Sequence, residues 1–348
     1  MPFITSLRRN YEQEVSNNRK FEVTGGDQVY TMGGYTIHTF TTTGEANLFI
    51  KNISSPSSVM NLQQQQLSVE SLLVAGGGGG GSIGGGGGAG GMVFSNVMNL
   101  NVGTVPLSVG AGGAGTPGHP SPAGSNGGNS VFNGNTALGG AGSGSWSNAS
   151  PKPGGSGAGG VSRPNSAQLG STATQPGQSL PQGGDGHGYP GARGGLGAAA
   201  SGAGSSNSIT GAGNWTGGGG GGAGAAGGHD FWNARYNSSN GDVPEYHAGR
   251  KGGNGLRSTI TGNSRIYAGG GGGGCHNSGY TSPVLTARGG DGGGGDGGSI
   301  DQSFGPGQRG QTGEINTGGG GGSGYYTGGG TGHGADGGPG IVVVRYLN

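Results

Sequence analysis

The sequence predicts an all-β protein with a non-regular glycine-rich domain, in which β strands bracket a bundle of polyglycine-II helices. Glycine supplies 99 of the 348 residues and arrives in uninterrupted runs, such as 76–81 and 217–222. Between residues 110 and 340 only 18 residues are Val, Ile, Leu, Met or Phe, too few for a side-chain core. Strongly β-prone apolar segments, 69–75 and 341–346, enter and leave the glycine-rich stretch.

The glycine runs are compatible with two physical states, a flexible coil or a backbone thin enough to pack against other backbones. Collagen is excluded because runs of five and six glycines break the Gly-X-Y period. A formal net charge of only +1 weakens the disordered alternative without removing it. The ordered alternative is a bundle of helices with three residues per turn, whose N–H and C=O groups bond to neighbouring helices. A six-residue run would then span roughly 19 Å, at about 3.1 Å per residue.

Residues 1–20 concentrate charge and place apolar residues at four-residue spacing, which is typical of a short amphipathic helix. A helix this short is marginal alone, so it needs a surface to lie on. That surface is either the chain's own β domain or a partner protein. The apolar positions are Phe3, Leu7, Tyr11 and Val15.

Residues 21–109 are predicted to form a β-rich domain that the strand 341–346 completes. The predicted strands are 35–42, 47–50, 67–74, 92–100 and 102–109. The last two are expected to return to the same sheet, with Pro106 at an edge position. Because 69–74 and 341–346 are too apolar to be left as free edges, we expect these two strands to pair. Residues 110–340 form the predicted glycine-rich domain.

Several segments carry a family resemblance. They are Gly34-Tyr-Thr-Ile-His-Thr-Phe-Thr41, Val69-Glu-Ser-Leu-Leu-Val-Ala75 with the six glycines after it, Leu107-Ser-Val-Gly-Ala-Gly-Gly113, Asn129-Ser-Val-Phe132 and Gly340-Ile-Val-Val-Val-Arg-Tyr346. Together they resemble the glycine-rich proteins of bacteriophage virions, and the likeness covers residues 34–346. The resemblance implies a small β sandwich whose first and last strands pair, with a glycine-rich insertion between them. Similar polyglycine-II domains occur in tip adhesins of T-even-like long tail fibres and, more distantly, in anaplastic lymphoma kinase-type receptors. The longer N-terminal β region and the Gln-rich insertion at 63–66 depart from the tail-tip adhesins.

Aromatic residues lie mostly between the glycine runs, where a rigid bundle would present them at its ends. Tyr and Trp offer large contact areas with little loss of rotamer entropy, so these segments are candidate recognition loops. The alternative is that some rings cap the bundle, most of all Trp215 and Tyr267, which lie within two residues of a run. The residues predicted to bind a receptor are Trp146, Tyr189, Phe231, Trp232, Arg235, Tyr236, Tyr246, His247, Tyr280, Phe304, Tyr325 and Tyr326.

No catalytic, cofactor or metal site is predicted, and we expect no enzyme. The many GxGxxG matches lack a strand, turn and helix context, and no GK[ST] phosphate loop occurs. Asp291 and Asp296 are interpreted as turn or surface carboxylates, and Cys275-His276 as a loop. The scattered Lys and Arg residues form no nucleic-acid stripe, and no window is apolar enough for membrane insertion.

The resemblance and the loops together predict a phage virion appendage, a tail fibre or fibre-tip adhesin. Its expected partners are a host cell-surface glycan or outer-membrane protein and, through Phe3, Leu7, Tyr11 and Val15, other virion proteins. Self-association into a homo-oligomer stays open. Since residues 1–20 lack an apolar signal region, we expect assembly in the host cytoplasm. The alternative is a capsid-decorating fibre or cement protein in which the glycine-rich domain is a rigid spacer. A secreted matrix protein is disfavoured by the same missing signal.

Overall fold

The structure, a computed structural model, describes twelve parts of the chain. They are residues 21–53, 66–82, 84–118, 122–145, 150–161, 169–175, 185–187, 215–228, 251–277, 287–298, 309–327 and 332–348. These parts are all-β, as the sequence predicted. They contain no helix, and therefore none with the length and apolar character to cross a bilayer. The predicted N-terminal helix at 1–20 lies outside the described residues.

The described strands are numbered in chain order. They are β1 Phe21–Thr24, β2 Gln28–Met32, β3 Tyr35–Phe40, β4 Gly44–Asn52, β5 Gln66–Val74, β6 Met92–Asn101, β7 Gly103–Val109, β8 Ser130–Phe132, β9 Asn135–Ala137, β10 Asp185–His187, β11 Trp215–Thr216, β12 Leu256–Ser258, β13 Arg265–Tyr267, β14 Cys275–Asn277, β15 Tyr326–Thr327 and β16 Ile341–Leu347.

Two antiparallel sheets form a sandwich. One has the strand order β1-β4-β7-β8-β9, and the other has the order β10-β6-β5-β16-β3-β2. Apolar side chains from both sheets meet between them in one core, with Leu48 and Leu107 on one side and Leu73 and Val342 on the other. All four are at least 97% buried, which is the burial that drives two sheets together.

The strand β16 closes the sandwich, because it lies between β3 and β5 in the six-stranded sheet. Its antiparallel register with β5 begins at Ile341 opposite Val74 and continues to Arg345 opposite Glu70. The predicted pairing of 69–74 with 341–346 is therefore confirmed. The two ends of the glycine-rich stretch are held side by side, so the stretch begins and ends at one place.

The six-stranded sheet is buried on both faces at its centre. Along β16, Val342 and Val344 face the sandwich core, whereas Ile341 and Val343 belong to a second apolar cluster on the opposite face. A continuous apolar run is the pattern expected of a strand that is covered on both sides.

The second apolar cluster joins the sheet to the glycine-rich part through the hairpin β12–β13. Ile260 and Tyr267 of this hairpin are 1% exposed and pack with Leu72 of β5. Arg345 strengthens the junction, because its guanidinium donates to Glu70 and to the Thr259 carbonyl oxygen. Tyr267 thus occupies the capping position that the sequence analysis considered for it. Its ring lies between the bundle and the six-stranded sheet.

Three details of the β region differ from expectation. β6 lies in the six-stranded sheet and β7 in the five-stranded sheet, so the prediction that they share a sheet is wrong. Pro106 lies within β7, which pairs on both sides, but the pairing with β8 reaches only to Leu107. The missing N–H of Pro106 therefore interrupts no bond to β8. In addition, β8 and β9 belong to the sandwich, so the two parts interleave along the chain instead of dividing at residue 109.

His38 is buried inside the sandwich, on the strand beside β16. Its Nδ1 lies 2.7 Å from the Gly25 carbonyl oxygen, and its ring stacks on Tyr346 at 5.7 Å between centroids. Because the carbonyl can only accept, Nδ1 carries a proton. Burial lowers the pKa of His38, and the bond to Gly25 opposes this shift without cancelling it.

The glycine-rich part is a bundle of extended rods, and its clearest member is rod 76–81, which has six neighbouring rods. Its N–H groups donate in the pairs Gly76–Gly128, Gly77–Gly338, Gly78–Gly88, Gly79–Ser125, Gly80–Ala335 and Gly81–Gly85. Its carbonyl groups accept in the pairs Gly76–Gly140, Gly77–Gly113, Gly78–Gly321, Gly79–Ser143, Gly80–Thr116 and Gly81–Gly324. All twelve distances lie between 2.8 and 3.2 Å. Each neighbour recurs at every third residue, which is the period of a polyglycine-II helix.

The interior of the bundle has no room for side chains. A Cβ added to Gly79 would lie 2.0 Å from the Ala114 carbonyl oxygen, and one added to Gly80 would lie 2.1 Å from that of Gly322. Non-bonded heavy atoms need about 3.5 Å, so these positions require glycine. Rod 110–116 shows the pattern at the surface, where Ala111 and Ala114 are exposed and Gly113 is buried.

Polar side chains bond to outer rods at positions where the described part of the chain places no neighbouring rod. The Oδ1 atoms of Asp336, Asn126 and Asn129 accept from backbone N–H groups at 2.7 to 2.8 Å. Asp296 accepts in the same way from Gly289, and Ser171 Oγ accepts from Ala158. These residues replace a neighbouring carbonyl, so outer N–H groups stay bonded without another backbone.

Candidate functional site

Most of the residues predicted to bind a receptor lie outside the described parts of the chain. These residues are Trp146, Tyr189, Phe231, Trp232, Arg235, Tyr236, Tyr246, His247, Tyr280 and Phe304. The predicted attachment residues Phe3, Leu7, Tyr11 and Val15 also lie outside them. What the structure gives is the position of the described residues on either side of each segment. The direction of the rods fixes those positions.

The bundle has two ends, which we name the sheet end and the far end. Rod 76–81 begins directly after β5, so Ala75 lies at the sheet end and Gly81 at the far end. Rods 110–116 and 138–145 run in the same direction, because Thr116 donates to Gly80 and Ser143 donates to Gly79. Both rods also start from sandwich strands, β7 and β9, and they end at the far end.

The segments that follow these rods therefore start at the far end. They are 119–121 and 146–149, the second of which contains Trp146. Three hydrogen bonds place the other far-end residues, since Gly274 donates to Gly84, Gly298 to Ser323 and Gly324 to Gly81. The segments that follow these residues are 278–286, 299–308 and 328–331. Tyr280 and Phe304 belong to the first two of them.

The connections at the sheet end are different, because the described ones are short and close the rods directly. They are the hairpin β12–β13 and the turns at 291–293 and 315–318. Asp291 lies in the first of these turns, and Asp296 Oδ1 accepts from the Gly289 N–H at 2.7 Å. The interpretation of these carboxylates as turn or surface groups is confirmed. The described residues contain no cluster of metal-ligating side chains.

Segment 229–250 contains the densest group of predicted binding residues, from Phe231 to His247. A hydrogen bond of 2.9 Å from the Gly228 N–H to the Lys251 carbonyl oxygen closes the base of this segment. Rod 251–255 meets the sheet end at Gly255, where an added Cβ would lie 1.7 Å from the Tyr267 carbonyl oxygen. Lys251, four residues earlier, is thus roughly 12 Å nearer the far end at about 3.1 Å per residue.

Three short strands, β11, β14 and β15, form a small sheet at the far end. Their register places Trp215 opposite His276, and His276 opposite Tyr326. Sequence reasoning gave a binding role only to Tyr326, because it treated Trp215 as a cap and His276 as a loop residue. Trp215, His276 and Tyr326 share one feature of the sequence that could have identified them. Each lies within two residues of the far end of a glycine rod.

Tyr325 requires a correction. The sequence assigned it to the receptor-binding set, but its side chain is 0% exposed in the structure. Tyr325 is the last residue of rod 318–325, directly before β15. Gly332 packs against its backbone, since a Cβ added to Gly332 would lie 2.4 Å from the Tyr325 carbonyl oxygen. The ring is therefore buried and does not offer a contact surface.

The far half of the bundle carries charges of both signs on its described surface, since Asp336 is exposed there as well as cations. Arg309 and Lys251 are both exposed. Arg309 forms a parallel bridge with His333, and the next residue, Gly310, donates to the His333 carbonyl oxygen at 3.0 Å. An anionic ligand at this end would therefore find cationic donors beside the aromatic segments.

Part of the chain matches the model of a known protein family. The family model of a glycine-rich domain matches residues 53–244, which is more than half of the sequence. This match spans β5 to β11 and the rods between them. No curated protein matches the chain.

Proposed function

This chain belongs to the glycine-rich domain family, and from that premise we propose that it is a bacteriophage virion appendage protein. In this proposal it is a tail fibre or fibre-tip adhesin that binds a host cell-surface receptor. The sandwich and the segment before it attach to other virion proteins, and the far end of the bundle binds the receptor.

The observation that supports this proposal most is the collection of inter-rod segments at one end of a rigid body. The residues that flank 146–149, 278–286, 299–308 and 328–331 all lie at the far end. The described connections at the sheet end are the hairpin β12–β13 and the turns at 291–293 and 315–318. Recognition segments are often carried by a rigid scaffold, and these four segments all begin at one end of the bundle.

The composition of segment 229–250 supports a host glycan or an outer-membrane protein as the partner. It combines Phe231, Trp232, Tyr236 and Tyr246 with Arg235. Aromatic faces stack on sugar rings, and guanidinium groups bind carboxylate or phosphate, so this set suits an acidic surface glycan. A rigid spacer gains nothing from such a segment.

The experiment replaces Trp232 and Tyr236 by alanine together and measures adsorption of particles that carry the variant to host cells. We expect folding and particle assembly to persist while adsorption falls at least tenfold. Because many copies act together on one particle, the loss should be larger for particles than for isolated protein. The matched control is Phe49→Ala, which removes an exposed ring from the outer face of the sandwich, 48% exposed and remote from the far end.

Normal adsorption by particles with the double variant would contradict the adhesin proposal. It would favour the capsid-decorating fibre or cement protein, in which the bundle serves as a spacer. Reduced adsorption by the Phe49→Ala control as well would also count against the far end as the binding site.

A further inference from the structure

Three exposed cations lie on one side of the bundle, toward its far end. They are Lys251, Arg288 and Arg309, and each belongs to a different rod. In the sequence they are widely separated, and only the hydrogen bonds between the rods bring them together. We name these three residues the cationic row.

Lys251 and Arg288 lie on adjacent rods that run in the same direction. The Gly252 N–H donates to the Arg288 carbonyl oxygen at 2.9 Å, and the Gly255 N–H donates to that of Asp291 at 2.7 Å. The two rods therefore keep one register over three residues, and the two cations are level to within one residue. Hydrogen-bonded backbones lie about 4.8 Å apart, so both side chains can reach one ligand.

Arg309 lies on a third rod, which one middle rod separates from the previous pair. On one side, the Gly297 N–H of this middle rod donates to Ala287. On the other side, Asp296 of the same rod accepts from Gln311. Arg309 precedes Gln311 by two residues, which places it roughly 6 Å nearer the far end at about 3.1 Å per residue. The cationic row thus crosses the side of the bundle over about 14 Å, at about 4.8 Å for each rod.

The carboxylates beside the cationic row are bonded to the backbone. Asp296 on the middle rod is half-buried, and its Oδ1 accepts from the Gly289 N–H at 2.7 Å. Asp336, on the rod next to that of Arg309, is exposed, and its Oδ1 accepts from the Gly115 N–H at 2.7 Å. These carboxylates hold rods together, whereas the cations are exposed to a ligand.

We propose that the cationic row binds an acidic polysaccharide along the side of the bundle. A guanidinium group binds a carboxylate or phosphate with two parallel hydrogen bonds, and the lysine adds a third cation as a point charge. The proposal rests on the proposed function, because it names the chemical class of the receptor. It adds a contact on described rods to the contact expected from the aromatic segments.

The spacing of the charges favours a sparsely charged polymer over a nucleic acid. Duplex DNA carries a negative charge for every 1.7 Å or so of its axis, which is far denser than three cations over about 14 Å. The carboxylates of Asp296 and Asp336 would also repel closely spaced phosphates. A polysaccharide with a carboxylate on only some of its sugars can meet the cations and avoid these carboxylates.

The test measures binding of the purified full chain to hyaluronan, which carries a carboxylate on every second sugar, and to neutral dextran. We expect hyaluronan to bind and dextran not to bind. The binding should weaken as sodium chloride rises from about 0.01 to about 0.1 M, because the screening length falls from about 30 to about 10 Å.

The row variant combines Lys251→Gln, Arg288→Gln and Arg309→Gln. We expect it to raise the Kd for hyaluronan at least tenfold. It should keep the melting temperature of the unmodified chain, because substitutions of exposed residues change stability little.

The matched control combines Lys51→Gln, Lys152→Gln and Arg257→Gln. It removes the same net charge from exposed cations on the sandwich, on another rod and on the hairpin β12–β13. We expect it to change the Kd less than about twofold, because these cations lie away from the cationic row.

The proposal is overturned if the unmodified chain does not bind hyaluronan, or if the row variant binds it as tightly. Equal losses in the row variant and the control would overturn it as well, since net charge alone would then explain them. Tighter binding to oligo(dT) than to hyaluronan would identify a nucleic acid as the ligand instead. None of these results decides the adsorption experiment with Trp232 and Tyr236, so the two proposals can fail separately.

Discussion

The sandwich and the bundle exclude water by opposite means. In the sandwich, Leu48, Leu73 and Val342 fill the space between two sheets, and the backbone bonds lie within each sheet. In the bundle the backbones themselves meet, and Gly79 has six rods around it and no space for one methyl group. A Cβ therefore stabilises the first region and disrupts the second. Burial in the bundle is the burial of peptide groups, which bond to other rods or, at the perimeter, to side-chain oxygens.

A chain with few large apolar residues can therefore form a large rigid body. The bundle depends on the sandwich to bring its ends together, because polyglycine rods have no internal hydrogen bonds and no stable form alone. The sandwich in turn depends on the bundle, because one face of the six-stranded sheet would otherwise expose Leu72 and Val343. Each of the following changes tests one part of this dependence.

The largest effect is expected from removing residues 341–348. This deletes β16 from the centre of the six-stranded sheet and separates the two ends of the glycine-rich stretch. We expect the whole protein to unfold or aggregate, which circular dichroism and size-exclusion chromatography would detect. Removal of only 347–348, beyond the last apolar side chain of the core, should leave it folded. A soluble, monodisperse 341–348 deletion would show that the bundle does not need the strand.

A smaller but severe effect is expected from Gly271→Val inside the bundle. The Gly271 N–H donates to Gly87, and a Cβ there would lie 2.1 Å from the Gly321 carbonyl oxygen. Overpacking costs about 1–3 kcal/mol and each lost backbone bond about 1 kcal/mol, so we expect a loss of about 3 kcal/mol or more in the free energy of unfolding. Urea unfolding measures it.

The control for Gly271→Val is Ala114→Val, on the exposed face of rod 110–116. A surface change of this kind should alter the free energy of unfolding by less than about 0.5 kcal/mol. Equal losses for the two variants would mean that the bundle responds to valine through backbone propensity and not through packing.

These contrasts also show what the sequence could predict. The pairing of 69–74 with 341–346 followed from two apolar runs that needed a partner, and the rods followed from glycine runs that exclude a side-chain core. The neighbours of each rod did not follow, since one glycine run carries no signal that distinguishes it from another. The assignment of Tyr325 failed for the same reason, because only the register of its rod decides whether the ring lies inside. The far-end row of Trp215, His276 and Tyr326 depends on strand register as well.

A moderate effect is expected at the perimeter, where a side chain replaces a rod. Asp336 Oδ1 accepts from the Gly115 N–H at 2.7 Å. Asp336→Ala should lower the free energy of unfolding by about 1 kcal/mol, the typical value of one hydrogen bond. Asp336→Asn keeps the acceptor and should retain most of the stability. If alanine and asparagine behave alike in thermal unfolding, the hydrogen bond contributes nothing.

The smallest effect is expected from pH, and only in the sandwich. Burial lowers the pKa of His38, so the unfolded chain binds a proton there more readily than the folded chain. The contribution of neutral His38 to the free energy of unfolding is therefore fully present above its unfolded pKa of about 6.5. It is lost as the pH falls below that value. The melting temperature should therefore decrease as the pH is lowered from 7.5 to 5. The decrease should be smaller in His38→Gln. The same pH dependence in His38→Gln would show that other groups cause it.

The polar residues around the bundle limit how far the array of rods can grow. A hexagonal array of identical backbones has no natural boundary, since every outer rod offers the same donors and acceptors as an inner one. Such an array would recruit glycine-rich segments of other chains and extend into a fibre, as exposed strand edges do in sheets. Asn126, Asn129 and Asp336 occupy outer donors with their own oxygens. They close the array at these positions, so that no further rod can bond there.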